Sequence, residues 1–398
     1  MNRRVVVTGV GMISALGVGA AAAADALAAS RSGIGPIRIL ETAHRGAYVI
    51  GEVAYGNADL CALAGVDGDD PGRTALLGVI AAREAVAAAG LTDLAEVPTG
   101  LVSATTAAGL DRTEAQHHGA GDARRIGSML ETHDCGHSTE RIADALGLRG
   151  LLSTVSTACT SSANSLILAA RLVSSGVLER AVAGGCDGLC RFVLNGFTSL
   201  RIVDAQACRP FDEHRGGLTL GEAGAFLVLE TEAGAARRGK RPLAAIGGWG
   251  VANDSFHQTA SSPGGDGAFT AMQAALRSAR LQPREVGWVN AHGTATENND
   301  LSEGRALVRL FGDRLPPVSS TKAATGHTMG AAGAVEAVIS VLALQRGTIF
   351  PNLNFGTPMP EFDLVPVTAP RQVRGLDHVL SNSFGFGGDC AALVFSRA

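Results

Sequence analysis

Two stretches far apart in the chain follow one plan. Ser153 to Leu172 and Ser319 to Leu344 each open on a short β-prone run and pass through a turn rich in Thr, Ser and Gly. Each then continues as a helix of small and aliphatic residues. Each turn carries one reactive side chain, Cys159 in the first and His327 in the second. In the first stretch Leu166, Ala169, Ala170 and Val173 recur at helical spacing, and Thr157, Thr160, Ser161 and Ser162 are residues that start helices. The strand starts echo one another too: Arg4–Thr8 runs into Gly-Val-Gly11, and Leu243–Val251 is again a glycine-rich strand. This recurrence predicts an α/β chain of two similar halves, each presenting chemistry at a strand-to-helix turn on a shared site.

Composition fits that plan. At 398 residues the chain is too long for one small core, and 52 glycines allow backbones to pack closely. Aromatic residues make up 4%, so the core must be mostly aliphatic. A net charge of −4 argues against a nucleic-acid footprint and against a polybasic membrane patch. The odd count of 7 cysteines in a long chain argues against a disulfide framework and fits a reducing, cytoplasmic setting. The apolar start breaks at Thr8-Gly9 and reads as a first strand rather than a signal peptide. The Ala20–Ala29 run, interrupted by Asp25, is too short to span a bilayer, so no membrane span is expected.

Taken in order, Thr74–Gly90 reads as a helix, Gly100–Ala104 as a strand, and residues 110 to 140 as a polar excursion with short helices. Gly9 and Gly11 lack the third glycine of a dinucleotide-binding turn. His133-Asp-Cys-Gly-His137 matches no zinc spacing, so no metal is expected. Cys186 and Cys190 read as packing residues, and Arg209–Gly217 as a polar loop acting as a structural pin. The polar, basic stretch 231 to 242 separates the halves, giving units 1–238 and 239–398.

Cys159 sits at its strand-to-helix junction, where free backbone N–H groups and the helix dipole favour a thiolate; taken alone, it reads more readily as a small buried residue. His292, in Asn290-Ala-His-Gly-Thr-Ala-Thr296, follows a strand end, and His327 lies in Lys322-Ala-Ala-Thr-Gly-His327. The turn Phe384-Gly-Phe-Gly-Gly388 can bring backbone N–H groups close to a ligand. One cysteine and two histidines suit acyl transfer coupled to carbon–carbon bond formation. The thiolate holds an acyl group, and the imidazoles stabilise the enolate left when a second thioester loses carbon dioxide. A cysteine protease would instead want one histidine and an orienting carboxamide or carboxylate.

At these residues the sequence resembles the β-ketoacyl-acyl-carrier-protein synthases, condensing enzymes of the thiolase-like superfamily. The resemblance spans the chain through Val6-Val-Thr-Gly-Val-Gly11, Thr157-Ala-Cys-Thr-Ser-Ser162, Arg209-Pro-Phe-Asp212, Gly221-Glu-Ala-Gly224, the two histidine motifs and Ser381-Asn-Ser-Phe-Gly-Phe-Gly-Gly388. It implies a five-layered α-β-α-β-α fold and an acyltransferase that extends a fatty-acid, polyketide or aryl-polyene chain by two carbons. It implies Cys159 as the acylated nucleophile, and His292 and His327 in decarboxylation and carbonyl stabilisation. Lys322 would set the site's electrostatics, paired with Glu303. Thr294 and Thr296 would line the passage for the carrier's arm. Phe386 would gate the pocket, its N–H forming an oxyanion hole with that of Cys159, with Phe384 in support. No cofactor is implied beyond the 4′-phosphopantetheine of an acyl carrier protein. The partners implied are that carrier and a second subunit, identical or chain-length-factor-like, paired through residues 150 to 157. Asp389-Cys390 departs from the family's common Thr-Asn. Residues 101 to 106 and 133 to 137 resemble the pigment-cluster enzymes. Two other readings remain at this point: a thiolase-like coenzyme A acyltransferase, for which Cys390 is the one candidate second thiol, and a non-catalytic chain-length partner, against which the intact Cys159 argues.

Overall fold

Ten strands and five long helices carry the architecture. In this computed structural model, which describes residues 3–66, 70–117 and 131–398, the first half runs β1 (Val5–Ser14), α1 (Arg73–Ala89), β2 (Thr99–Ala104), β3 (Leu152–Val155), α2 (Ser161–Ser175), β4 (Arg180–Asp187) and β5 (Ala223–Thr231). The second half runs β6 (Ala244–Asn253), α3 (Asp266–Ala279), β7 (Trp288–Asn290), α4 (Glu297–Phe311), β8 (Val318–Ser319), α5 (Ala332–Arg346), β9 (His378–Phe384) and β10 (Asp389–Ser396). The polar excursion contains helices Leu110–His117 and Cys135–Leu146; its residues 118–130 lie outside the described residues.

The first half orders its strands β1-β5-β4-β2-β3 and the second β6-β10-β9-β7-β8, so each strand corresponds to the one five places later. Directions match as well: two antiparallel pairings, then two parallel ones, in each half. The halves join where β1 pairs with β6, Val5–Val7 against Ala244–Ile246. The linking stretch that the sequence marks as polar and basic holds a short helix, Glu232–Arg237, on its way into β6.

Strands covered on both faces read as near-continuous apolar runs, and β1, β4 and β5 are buried along their whole length. Helices α2 and α5 lie back to back between the sheets, in a core of Ala163, Leu166, Val173, Val335, Val338 and Leu344 with the inner strand faces. α1 covers the outer face of the first sheet, and α3 and α4 that of the second, which completes five layers. Helix Met329–Arg346 alone among the described residues is long and apolar enough to cross a membrane, and 83% of it is buried within the fold.

The paired glycines serve this layering. A Cβ on Gly9 or Gly11 would lie 2.1 Å from the carbonyl oxygen of Ala85 or Ala81 on α1. A Cβ on Gly250 would lie 2.1 Å from that of Ala271 on α3, and one on Gly248 2.4 Å from the Ala279 nitrogen. In both halves glycine on the strand and alanine on the helix let backbone meet backbone, so the Gly-Val-Gly run is a packing device.

Candidate active site

The parallel strands of both halves end at one cleft, where loops leave the sheets and side chains can converge. Cys159 stands in the turn between β3 and α2, after Ala158, whose φ of +51° is left-handed for a non-glycine residue. His292 follows the end of β7. His327 lies in the turn between β8 and α5, held by its N–H on Thr219 O (2.7 Å) and by Gly221 N–H on its own carbonyl (2.9 Å). The Gly221-Glu-Ala-Gly224 motif thus grips the His327 turn from the other half.

The Cys159 sulfur lies 3.0 Å from His327 Nε2. The two imidazoles meet edge to face, with centroids 5.4 Å apart, and the Phe384 ring stands 5.8 Å from His292. The Phe386 backbone N–H points at the Cys159 sulfur, and its ring stacks on Phe197 at 6.0 Å and 23°. The cleft, about 370 Å³, reaches the surface past Thr294, Thr296, Arg201 and Asn298. Thr294 and Thr296 hydroxyls bond one another at 3.0 Å, and Thr296 also caps α4.

Lys322 is almost wholly buried. Its ammonium donates to His292 O at 2.5 Å, to Glu336 on α5, and to His292 Nδ1 at 3.3 Å. An ammonium only donates, so His292 Nδ1 accepts and the ring's proton sits on Nε2. The expected Lys322–Glu303 pair is corrected here. Glu303 is buried nearby, but its carboxylate accepts the backbone N–H groups of His292 (2.9 Å) and Gly293 (2.8 Å) and the Asn382 amide (3.0 Å). Reaching from the first turns of α4, it is spent on fixing the His292 turn, whereas α5 carries Glu336 to the ammonium.

Burial sets the charge states. It pushes the Cys159 thiol up to about 12; Lys322 pulls the other way, and Asp187 and Glu336 add to the rise. Burial of a residue only 8% exposed thus works against the thiolate that the helix start favours. Burial, then Lys322, holds His292 and His327 well below 6.5, so both rings are neutral. Burial raises Glu336 to about 7 against the pull of Lys322. A neutral thiol beside a neutral imidazole is a nucleophile with its base in place. As that base His327 accepts the S–H at Nε2 and carries its own proton on Nδ1, which has no hydrogen-bond partner among the described residues.

Two contributors escaped the sequence. Glu336 looked like any helical acid. Asp187, at the end of β4, accepts from Thr105 Oγ1, Thr106 N–H, Ala107 N–H and, across the halves, Gly330 N–H at 2.7 Å. Cys390 stands apart from the cleft: its sulfur turns to Gly388 O, and burial pushes its pKa up to about 12. This removes the geometric basis for a second reactive thiol. Among the described residues no His, Cys, Asp and Glu cluster suited to a metal occurs, and His133 bonds Thr113.

Family models of the beta-ketoacyl synthase N-terminal and C-terminal domains match residues 2–235 and 243–356. The chain belongs to the beta-ketoacyl synthase family. It is a condensing acyltransferase of the thiolase-like fold. A 3-oxoacyl-[acyl-carrier-protein] synthase 2 of Staphylococcus aureus (strain N315) is 32% identical over 414 residues, covering 100% of this chain and 99% of that protein. One from Mycobacterium bovis is 40% identical over 256 residues, covering 62% and 61%. Among solved structures, a chain of the ishigamide ketosynthase/chain length factor superposes with a TM-score of 0.92 at 33% identity, with both chains covered fully. The ketosynthase ApeO in complex with its chain length factor ApeC from Xenorhabdus doucetiae gives 0.84 at 29%, covering 100% of this chain and 98% of that one.

Proposed function

We propose that this synthase joins a malonyl unit, with loss of carbon dioxide, to an acyl chain held as a thioester on Cys159, both delivered on the 4′-phosphopantetheine of an acyl carrier protein. The observation that carries this reading is the 3.0 Å contact between Cys159 sulfur and His327 Nε2, beside a His292 whose proton is fixed on Nε2.

The thiol attacks the incoming thioester as its proton passes to His327 Nε2. The Cys159 and Phe386 N–H groups hold the oxyanion, and the departing carrier sulfur takes that proton back. Acylation removes the S–H from His327, whose unheld Nδ1 lets the ring retautomerise and present an Nε2–H. The malonyl carbonyl then accepts hydrogen bonds from both imidazoles, carbon dioxide leaves, and the enolate carbon attacks the acyl group. The carbon–sulfur bond to Cys159 breaks, and the sulfur leaves as a thiolate that takes up one proton from solvent, the proton that decarboxylative condensation consumes overall. Lys322 acts at one remove, by fixing the His292 tautomer. No metal or resident cofactor enters these steps.

The intact Cys159–His327 contact favours a catalytic subunit over a chain-length partner. We place it in the cytoplasm with a second subunit of its own kind or of the chain-length-factor type, as in the ishigamide and ApeO neighbours, and on a polyene or polyketide pathway, which the 101–106 and 133–137 segments favour. The roles divide in a testable way. Cys159→Ala should abolish the acyl adduct seen by intact mass yet leave carbon dioxide release from malonyl-carrier measurable. His327→Ala, which removes the base as well, should form the adduct more slowly and decarboxylate about a hundredfold or more slowly. A folded Cys159→Ala protein that loses both activities, or His327→Ala at the wild-type decarboxylation rate, overturns this assignment.

A further inference from the structure

Ala158 precedes the nucleophile with φ +51°, a region that a Cβ disfavours, so something must hold the elbow in this form. The Ser161 side chain spans that residue. Its hydroxyl donates to Ala158 O at 2.6 Å, and its oxygen accepts from Thr157 N–H at 2.8 Å. The peptide that follows Ala158 and the one that enters Thr157 are thereby tied across Ala158 to one fully buried side chain. Ser161 stands at the first position of α2, yet its bonds run backwards across the turn rather than into the helix. The neighbouring Ser162 hydroxyl accepts from Ala334 N–H at 2.9 Å, which registers the start of α2 against α5 in the half that carries His327.

We propose that Ser161 is a positioning residue for acyl transfer: its hydroxyl clasps the left-handed Ala158 turn and so fixes the Cys159 sulfur against His327 Nε2. Ser161 does not line the cleft, and its side chain bonds Thr157 N–H and Ala158 O rather than an imidazole. It acts through the backbone on one side of the site alone. His292 and His327 are held by other groups, namely Lys322, Glu303, Thr219 and Gly221. Loss of the clasp therefore separates the two halves of the chemistry. Acylation depends on where the sulfur stands, and misplacement by about 1 Å can cost about a hundredfold in rate. Decarboxylation depends on the imidazoles.

The inference rests on Cys159 as the acylated nucleophile, which the wild-type protein tests in the same experiment: absence of an adduct on Cys159 there refutes the function, not the clasp. With the adduct seen, acyl-carrier titrations give kcat and KM for acylation, and malonyl-carrier gives decarboxylation. Ser161→Ala should acylate roughly ten to a hundred times more slowly through kcat, with KM unchanged and decarboxylation within about twofold of wild type. Ser161→Thr, which keeps the hydroxyl, should recover most of the rate. The decisive variant is Ala158→Gly in the Ser161→Ala background. Glycine adopts the left-handed turn without a clasp, so acylation should recover several-fold over Ser161→Ala alone. Acylation and decarboxylation falling in proportion, or no recovery from glycine in a folded double variant, shows a general loss of packing and overturns the proposal.

Discussion

With a neutral thiol 3.0 Å from a neutral imidazole, the proposed mechanism has the proton leave only as the sulfur attacks. The charged group at hand, Lys322, is neutralised by Glu336 and acts by orientation: it donates to His292 Nδ1 and leaves Nε2–H for the substrate carbonyl. This has a consequence for pH. Burial, then Lys322, lowers both histidines well below 6.5. Between those lowered values and 6.5 the unfolded chain binds protons that the folded protein refuses. Their contribution to stability is thus full above 6.5 and falls as the solution becomes more acid. Malonyl-carrier decarboxylation should stay level as the pH drops through 6.5, while the urea midpoint declines over the same range. A rate that titrates with an ordinary histidine pKa in a protein still folded would contradict the neutral pair.

Helix and strand meet here at backbone distance, so elements that look permissive in sequence are tightly constrained. Alanine in a β-strand is ordinarily a mild change. At Gly11 its methyl would lie 2.1 Å from Ala81 O, and α1 would have to move off the sheet. Overpacking of this kind costs about 1–3 kcal/mol and more where backbone must shift. Gly11→Ala and its counterpart Gly250→Ala should each lower the unfolding free energy by an amount in that range, read as a lower urea midpoint. Gly35→Ala, with open space at the same point, should not. Equal midpoints for all three would show that α1 and α3 adjust freely. The same close packing makes the α2 and α5 helices rigid supports for the turns that carry Cys159 and His327.

At the scale of the whole molecule, the two half-sheets join through β1 and β6, and the far ends are edges. At one of them β3 exposes its rim, with Leu151 and Leu152 38% and 41% accessible beside a strand without charge. An unpaired apolar edge is a surface for another strand. We expect a dimer through this edge, as residues 150 to 157 suggest in sequence. Sedimentation at micromolar protein should give twice the chain mass, and Leu152→Lys should shift the distribution towards monomer. A monomeric wild-type protein would remove this edge as the interface.

The sequence by itself determined whatever depends on local preference and periodicity. It determined the two strand–turn–helix segments, the glycine-rich strands that restart each half, and the turns holding Cys159, His292, His327 and Phe386. Backbone propensities and apolar spacing act over a few residues, so they can be read there. Only the tertiary structure decided quantities that sum over distant groups. Glu303 and Glu336 are equally available to Lys322 in the chain; the placement of α4 and α5 gives the first to the His292 backbone and the second to the ammonium. The helix start at Cys159 was legible, but the thiol's pKa was not, because the burial that raises it comes from groups far apart in the chain. Asp187 gave no local signal, since its partners Thr105 and Gly330 come from segments that only the packed halves bring together.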